Sequence, residues 1–222
     1  MKTNEDLQKD VQDAIKFQPL LHAAEIGVTV KDGVVTLSGV VDSYFKKIEA
    51  ENAAKNVAGA KAVVENITIK YTDFVKNDND IAVEVLKALN DSWSVSKDKV
   101  KVKVENGWVT LEGELPWNYQ REAAKSVINY LAGVKGITNN IKIKSEVDDA
   151  IEQKDVEDAL ARHWSINSKD IKVKASGTNV TLTGNVTSLY QKEEAGHIAW
   201  NTPGVWSVDN KLEVEYDYSY VD

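Results

Sequence analysis

The sequence predicts an α+β fold built from three tandem αββαβ domains, each a three-stranded mixed sheet with two helices on one face. One motif recurs: residues 33–39 read GVVTLSG, residues 107–113 read GWVTLEG, and residues 178–184 read TNVTLTG. The Val-Thr-Leu cores lie 74 and then 71 residues apart, and a second glycine follows the last motif glycine by 20 residues each time. This constant spacing indicates one structural unit used three times. The motif glycines are Gly39, Gly113 and Gly184, and the second glycines are Gly59, Gly133 and Gly204.

The length of the repeat fits a small domain better than a solenoid unit, whose period is about 20–45 residues. We therefore expect domains at residues 1–72, 73–146 and 147–222, which are called repeats 1, 2 and 3 below. A domain of this size buries only a modest core. Contacts between neighbouring repeats are expected for that reason.

Each repeat opens with a helical pattern of apolar residues. In repeat 2, Ile81, Val85 and Leu89 recur at helix spacing with Leu86 beside them, behind a polar run at residues 77–80 that supplies N-cap candidates. In the other repeats the pattern is carried by Leu7, Val11, Ala14 and Ile15 behind Thr3 and Asn4, and by Val156, Ala159 and Leu160 behind Lys154 and Asp155.

A β-hairpin follows the first helix in each repeat. In repeat 1, apolar residues alternate on both sides of Asp32 and Gly33, and Asp-Gly between alternating runs is a strong hairpin signal. Repeat 2 has the same pattern around Asn106 and Gly107, whereas repeat 3 has a looser turn near residues 176–177. The alternating residues are Ile26, Val28, Val30, Val35 and Leu37, then Val100, Val102, Val104, Val109 and Leu111, then Ile171, Val173, Ala175, Val180 and Leu182.

A second helix and a closing strand complete the repeat. Helix starts are indicated by polar or proline residues near Asp42, Pro116 and Thr187, and the second glycines are predicted to end these helices in a left-handed conformation. The closing strands are predicted at residues 62–69, 137–143 and 208–214. Because both helices cover one face of the sheet, the other face is expected to stay polar. It should carry Thr36, Ser38, Thr110, Glu112, Thr181 and Thr183.

Composition and charge restrict the function. An apolar content of 42% and a charged content of 28% are typical of a globular protein. The net charge of −8 divides into −1, zero and −7 over repeats 1, 2 and 3. No repeat presents the basic balance of a duplex-DNA binder, so nucleic acid is not an expected partner. The chain has no cysteine, which excludes disulfides, thiol catalysis and cysteine metal sites.

The localisation is predicted from the absence of targeting patterns. No run approaches the roughly 18 apolar residues of a membrane span. The first residues show no apolar signal region, so we expect a cytoplasmic protein. Removal of a signal segment would instead place the protein in the periplasm.

Three features together resemble a known family. They are the hairpin V-x-V-x-D-G-x-V-T-L-x-G at residues 28–39, the alanine-rich second helix, and the ending G-V-x-x-V-x-N-x-L at residues 133–141. This combination resembles the BON domain, named for bacterial osmotically inducible and nodulation proteins, in three tandem copies over nearly the whole chain. Repeat 3 keeps the ending at residues 203–210 but lacks the Asp-Gly turn. The resemblance implies non-catalytic modules of envelope stress that are proposed to bind phospholipid surfaces, and one cytoplasmic relative takes part in potassium sensing.

The residues themselves offer little for catalysis. His22, His163 and His197 occupy three different places in the repeat, whereas a metal site built on the repeat would use equivalent places. We expect surface or interface histidines and no shared metal site. Gly33, Gly39, Gly107 and Gly113 lie inside a strand-turn-strand, which favours turns over a phosphate cradle. No nucleophile frame is recognised, so the sequence predicts neither an enzyme nor a cofactor.

Tryptophans and lysines supply the candidate contact residues. Trp93 and Trp164 hold equivalent places before the first strand and are predicted to cover the end of the core. Trp200 and Trp206 flank the second glycine of repeat 3, where packing between repeats explains them almost as well as a partner would. The alternative for the lysines is a solvated strand face. The candidate surface contacts are Lys97, Lys99, Lys101, Lys103, Trp108 and Trp117.

We therefore expect a non-catalytic binding protein of osmotic or envelope stress that contacts phospholipid surfaces or envelope proteins. With a net charge of −8, only a local basic patch could bind an anionic membrane. The best such patch is the lysine run, which consists of Lys97, Lys99, Lys101 and Lys103, beside Trp108. The alternative is a protein-interaction module or a cytoplasmic ion-responsive scaffold. In such a scaffold, potassium or another monovalent or hard cation is bound by backbone and carboxylate oxygens.

Overall fold

Each repeat folds as a helix, a hairpin, a second helix and a closing strand, which confirms the predicted α+β class. The computed structural model describes residues 3–21, 26–71, 76–95, 99–144 and 151–215. Repeat 1 consists of α1 (Asn4–Lys16), β1 (Ile26–Lys31), β2 (Val34–Val41), α2 (Tyr44–Lys55) and β3 (Ala62–Ile69). Repeat 2 consists of α3 (Asp78–Asp91), β4 (Val100–Glu105), β5 (Trp108–Leu115), α4 (Asn118–Ser126) and β6 (Gly136–Ile143). Repeat 3 consists of α5 (Gln153–Arg162), β7 (Ile171–Ser176), β8 (Asn179–Val186), α6 (Leu189–Trp200) and β9 (Ser207–Val214).

The three sheets share one topology. In each, the central strand pairs with the strand before it and with the closing strand, in the orders β1-β2-β3, β4-β5-β6 and β7-β8-β9. The hairpins are antiparallel, and β6 and β9 run parallel to β5 and β8, so the sheets are mixed. The central strands have the same alternation of buried and exposed residues in all three repeats. On the predicted polar face, Thr36, Thr110 and Thr181 are half-buried, and Ser38, Glu112 and Thr183 are exposed.

The cores lie between the first and second helices and the apolar face of each sheet. In repeat 2, Ile81, Val85 and Leu89 of α3 pack against the apolar side of β5. Leu86 points away from this core and is 47% exposed. In repeat 3, Glu152 is the N-cap of α5, so the helix begins before Lys154, earlier than predicted.

The hairpin turn is bound by both the first helix and the closing strand. In repeat 2, the Asp78 carboxylate at the start of α3 accepts hydrogen bonds from the amides of Asn106 at 2.8 Å and Gly107 at 2.9 Å. The Lys135 amide, just before β6, donates to the Gly107 carbonyl at 2.8 Å. The turn therefore fixes where the helix and the closing strand begin. The equivalent bonds of repeat 1 join the Asp32 amide to Asn4 at 2.9 Å and the Lys61 amide to the Gly33 carbonyl at 2.8 Å.

The predicted hairpin turns are present in repeats 1 and 2, whereas the turn of repeat 3 lies one residue later than predicted. Asn106 and Gly107 have φ of 52° and 82°, and the turn of repeat 1 is alike. Two positive φ angles are what a type I′ hairpin turn requires. In repeat 3 the strands end at Ser176 and resume at Asn179, so the turn is formed by Gly177 and Thr178, one residue later than predicted.

An asparagine on the closing strand ties the second helix to the sheet in repeats 2 and 3. The Asn139 side-chain amide donates to the Arg121 carbonyl on α4 at 3.0 Å and accepts from the Ile141 amide at 3.2 Å. This pair of bonds satisfies a polar side chain that points between helix and strand. In repeat 3, Asn210 donates to the Lys192 carbonyl at 2.6 Å and accepts from the Leu212 amide at 3.3 Å.

By its internal contacts the chain forms two compact units, and the first of them joins repeat 1 to repeat 3. The Lys55 ammonium on α2 lies 2.7 Å from Glu51 and 2.7 Å from Glu193 on α6. Burial acts to lower the pKa of Lys55, but the two carboxylates outweigh it and the pKa is raised. The Gly59 amide adds a hydrogen bond to the Thr187 carbonyl at 3.1 Å.

The second unit consists of Val41–Lys47 and Ile69–Asp148, and therefore contains repeat 2. The rings of Phe45 and Tyr130 pack with centroids 4.6 Å apart. The Tyr71 hydroxyl donates to the Val134 carbonyl. Burial raises the pKa of Tyr71 to about 12. Residues that precede repeat 2 in the chain thus complete its surface.

The second glycines have positive φ, but the prediction that they end the second helices is wrong. Their φ angles are 94°, 95° and 84° for Gly59, Gly133 and Gly204. The helices α2, α4 and α6 end earlier, at their last residues given above, and further turns follow. The positive φ itself favours glycine, as predicted, and close packing adds to it at Gly133, where a Cβ would lie 2.8 Å from the Ile81 side chain. A Cβ on Gly107 would in turn lie 2.7 Å from the Gly133 carbonyl oxygen.

Replacing Gly113 by alanine is expected to destabilise the protein by about 2 kcal/mol. The residue has φ of 146°, and an added Cβ would overlap the Lys99 carbonyl oxygen. Gly177→Ala is the matched control, because φ there is 59° and no atom lies within 4 Å of the added Cβ. That control should lose only about 1 kcal/mol. Urea unfolding measures both, and equal losses would contradict the steric account.

Candidate functional site

The lysine run lies on a sheet face whose charges are balanced. Lys101 and Lys103 are on the open face of the β4-β5-β6 sheet, Lys99 precedes β4, and Lys97 lies outside the described residues. The Lys103 ammonium is 3.0 Å from the Glu105 carboxylate. The strand register places Lys101 opposite Glu112. Carboxylates thus alternate with the ammonium groups, and this face offers an anionic surface little net attraction.

A shallow depression of about 390 Å³ on the same face repeats this balance. Lys101 and Lys142 line it together with Glu112 and Glu114. It contains two cationic and two anionic groups, which favours neither sign of ligand. A contact role for the lysine run remains a prediction.

Trp108 covers a glycine of the neighbouring strand. It lies opposite Gly136 in the parallel pair of β5 and β6, and a Cβ on that glycine would overlap the indole ring. The indole N–H donates to Thr138 Oγ1 at 2.8 Å, and the residue is 49% exposed. An aromatic ring over a strand glycine shields backbone that would otherwise be open to water. Much of this ring therefore has a structural task.

Trp117, Trp200 and Trp206 also contribute to the fold. Trp117 is the N-cap of α4 and is half-buried. Trp200 is half-buried against the core of repeat 3, and the Trp206 amide donates to the Thr178 carbonyl at 2.9 Å. These three side chains are less exposed than Trp93 and Trp164.

Trp93 and Trp164 do not cover the core; that prediction is wrong. They are 93% and 92% exposed, although they hold equivalent places in repeats 2 and 3. The cause is the turn in which they lie. The Val95 amide donates to the Ser92 carbonyl at 3.3 Å, and the Ile166 amide donates to the His163 carbonyl at 3.2 Å. Each tryptophan is the second residue of a four-residue turn, where the side chain points outward.

We call this four-residue turn, which joins the first helix of each repeat to the chain leading to the hairpin, the corner turn. Its last residue, Leu21, Val95 or Ile166, is buried in each repeat and fixes the turn to the core. In repeat 1 the Leu21 amide donates to the Gln18 carbonyl at 3.0 Å, so the same turn is present. Its second residue is Pro19, and Phe17 and Leu20 beside it are 86% and 55% exposed.

All three corner turns thus expose large apolar side chains. A single exposed aromatic residue on a protein surface needs no explanation. The same turn exposes a large apolar side chain in every repeat, which makes the corner turns the candidate functional site. No signal in composition or periodicity separates such a tryptophan from one that covers a core. The signal that could have found it is the pattern Ser-Trp-Ser-Val, a turn residue before the ring and an apolar anchor two positions after it.

The described residues contain no group of three or more histidine, cysteine or acidic side chains placed to hold a metal ion. None of the described helices combines the length and the apolarity that a bilayer crossing requires. Two histidines that the sequence places apart do come together. His163 and His197 both approach the Glu194 carboxylate, at 3.2 Å and 3.8 Å.

Comparison with known proteins bears on the whole chain. The family model of the BON domain matches residues 3–71, 77–145 and 148–216. The osmotically inducible protein Y of Escherichia coli (strain K12) is 28% identical over 177 residues, which covers 75% of this chain and 87% of that protein.

Solved structures of CdsD, a structural protein of the type III secretion system of Chlamydia trachomatis, also align. One is 18% identical and covers 96% of this chain and 94% of its own, with a TM-score of 0.26. A structure of the CdsD C-terminal domain is 17% identical, covers 97% of this chain and all of its own, and has the same score of 0.26. A score this low carries no argument about this chain.

Trp108→Ala is expected to destabilise the protein by about 1 kcal/mol or more, because it uncovers Gly136 and removes a cross-strand contact. Trp93→Ala and Trp164→Ala should each change the free energy of unfolding by less than about 0.5 kcal/mol. Thermal unfolding of the three variants checks this. A large loss for Trp93→Ala or Trp164→Ala would show that the exposed rings also support the fold.

Proposed function

Because this chain belongs to the BON domain family, we propose that it is a non-catalytic binding protein of osmotic stress whose corner turns contact phospholipid surfaces. The relative named osmotically inducible protein Y supports the osmotic setting. The observation that carries the lipid contact is the pair Trp93 and Trp164, each more than nine-tenths exposed at the same corner of its repeat.

Tryptophan suits this contact because its ring is apolar and its N–H can remain in contact with water and lipid headgroups. Burial of a large apolar side chain contributes about 1.5–3 kcal/mol. A contribution of this size from one turn gives weak and reversible attachment. A protein that meets a membrane in this way remains free to leave it.

The buried anchor of each corner turn makes the exposed ring available at little entropic cost. Val95 and Ile166 hold their turns to the core, and both turns have a hydrogen bond across them. A second contact, 3.0 Å between Ser92 Oγ and Ser94 Oγ, tightens the turn of repeat 2. The backbone is therefore ordered before any contact with lipid, and less freedom is lost on binding.

The net charge decides how such binding should respond to salt. Because its net charge is −8, the chain as a whole is repelled by an anionic surface. If the apolar corner turns make the contact, salt screens this repulsion and binding persists or strengthens as ionic strength rises. If the lysine run made the contact, binding would weaken with salt. The salt response therefore separates the two surfaces.

Replacing Trp93 and Trp164 together by alanine is expected to weaken vesicle binding about tenfold or more, since the loss of about 1.4 kcal/mol is a tenfold change. Co-sedimentation with phosphatidylcholine vesicles, and with vesicles that also contain phosphatidylglycerol, measures it at low and high salt. Val83→Ala is the matched control, because Val83 is 66% exposed on α3 outside the corner turns.

The double charge reversal Lys101→Glu with Lys103→Glu tests the other surface in the same assay. Under the proposal it changes binding to vesicles of phosphatidylcholine alone by less than about twofold, because the lysine run makes no contact with a neutral surface. Loss of binding in the charge reversal, with normal binding of the tryptophan double variant, would move the contact to the lysine run. If the unaltered protein ignores both kinds of vesicle, the lipid proposal is rejected and an envelope protein becomes the better partner.

A further inference from the structure

Two histidines meet one carboxylate beside the corner turn of repeat 3. His163 Nε2 lies 3.2 Å from Glu194 Oε1, and His197 Nδ1 lies 3.8 Å from Glu194 Oε2. His163 directly follows α5, and the other two residues are one turn apart on α6, so the packing of α5 on α6 brings them together. The side chains of His163, Glu194 and His197 are 32%, 23% and 53% exposed, so protons from solvent reach them.

Each nitrogen of the His163 ring has a polar partner that can accept a hydrogen bond. Its Nδ1 lies 3.0 Å from Ser165 Oγ, while Nε2 faces Glu194. A neutral imidazole donates from one nitrogen only, whereas an imidazolium donates from both. The carbonyl of Ser165 accepts from Gln191 on α6 at 2.9 Å, which holds the corner turn in place. The protonated ring therefore fits the existing geometry, and the turn need not move when the ring gains its proton.

Protonation changes the local charge from negative to positive. With both imidazoles neutral, Glu194 gives this group one negative charge. With both protonated, the group carries one positive charge. Trp164 directly follows His163, and Arg162 precedes it and is exposed. With Arg162 counted, the charge beside the exposed ring of Trp164 would rise from zero to two positive charges.

Other charged side chains surround the two histidines. Carboxylates and ammonium groups ordinarily keep their charge between about pH 6 and 8, whereas imidazoles titrate there. Glu193 is already paired with Lys55 at 2.7 Å. The other charged residues on the elements packed around the histidines are Lys154, Asp155, Glu157, Asp158 and Arg162 on α5, Lys192 on α6, Lys169 and Asp170 before β7, Lys172 and Lys174 on β7, and Asp209, Lys211 and Glu213 on β9.

Repeat 2 provides an internal comparison. The places of His163, Glu194 and His197 are taken there by Ser92, Ala123 and Ser126, according to the 71-residue offset of the repeats. Its corner turn exposes Trp93 without any titratable side chain at these three places. The two tryptophan turns therefore have the same geometry and differ in their response to protons.

We infer that protonation of His163 and His197 strengthens the contact of the repeat 3 corner turn with anionic lipid surfaces. The chain would then bind such surfaces more tightly in mildly acidic solution. Charge complementarity selects the occupant: an exposed indole ring beside a group that turns cationic fits an anionic lipid interface. This inference rests on the proposed lipid contact and adds its regulation.

The test uses the full chain and vesicles with and without phosphatidylglycerol at about pH 5.8 and about pH 7.8, on either side of ordinary imidazole titration. Binding to the anionic vesicles should become about tenfold tighter at the lower pH, with little change on phosphatidylcholine alone. The variant His163→Gln with His197→Gln should show less than about a twofold change with pH. His22 is retained in both proteins, so its contribution cancels.

The permanently charged variant His163→Lys with His197→Lys should bind anionic vesicles tightly at both pH values. Thermal unfolding of the variants checks that they are folded. An unchanged pH response in the glutamine variant overturns the inference, and so does equal binding of the unaltered protein at both pH values. In either case the proposed lipid contact stands. No binding at either pH rejects the proposed contact and the inference together.

Discussion

The hairpin turn is the constraint on which repeats 1 and 2 depend, and in repeat 3 the turn still binds the start of the closing strand. In repeat 2 its amides bind Asp78 at the start of α3, and its Gly107 carbonyl accepts from the chain that enters β6. One turn of two residues therefore sets the start of the first helix, the register of the hairpin and the start of the closing strand. Because the helix begins at the hairpin turn and runs back along the sheet, its end is fixed at the opposite end of the sheet. That end is the corner turn.

The shared fold keeps the position of the corner turn constant, while the side chains exposed there differ between the repeats. Repeat 1 exposes Phe17 and Leu20 there, repeat 2 exposes Trp93, and repeat 3 exposes Trp164 beside two histidines. The three corner turns thus present apolar side chains that differ either in type or in their titratable neighbours. Under the proposed function, the shared fold sets the position of each contact and the turn residues set its properties.

The fold could be predicted from the sequence because its signals are local. Alternating apolar residues and the Asp-Gly and Asn-Gly turns specify each hairpin without reference to distant parts of the chain. The left-handed conformation of the second glycines is predicted correctly, whereas the packing around them is not predicted. A Cβ on Gly133 would also lie 2.8 Å from the Ile81 side chain, which is far from it in sequence. Such contacts exist only after the elements have packed.

The candidate site was harder to predict for the same reason. Whether Trp93 covers a core or faces water depends on one hydrogen bond that makes it the second residue of a turn. His163 and His197 were assigned to unrelated places because nothing in the sequence shows that α5 and α6 bring them to one carboxylate. The lysine run looked basic in sequence, but the carboxylates that balance it lie partly on the adjacent strand, where only the register reveals them.

The most direct test of this account is the depth of the corner-turn tryptophans in a bilayer. In a variant whose other four tryptophans, Trp108, Trp117, Trp200 and Trp206, are replaced by phenylalanine, the indole emission comes from Trp93 and Trp164 alone. On vesicles with brominated acyl chains, the account predicts a blue-shifted emission and quenching by about half, because the rings enter the interface. Binding of the variant to the vesicles with unshifted and unquenched emission would contradict it.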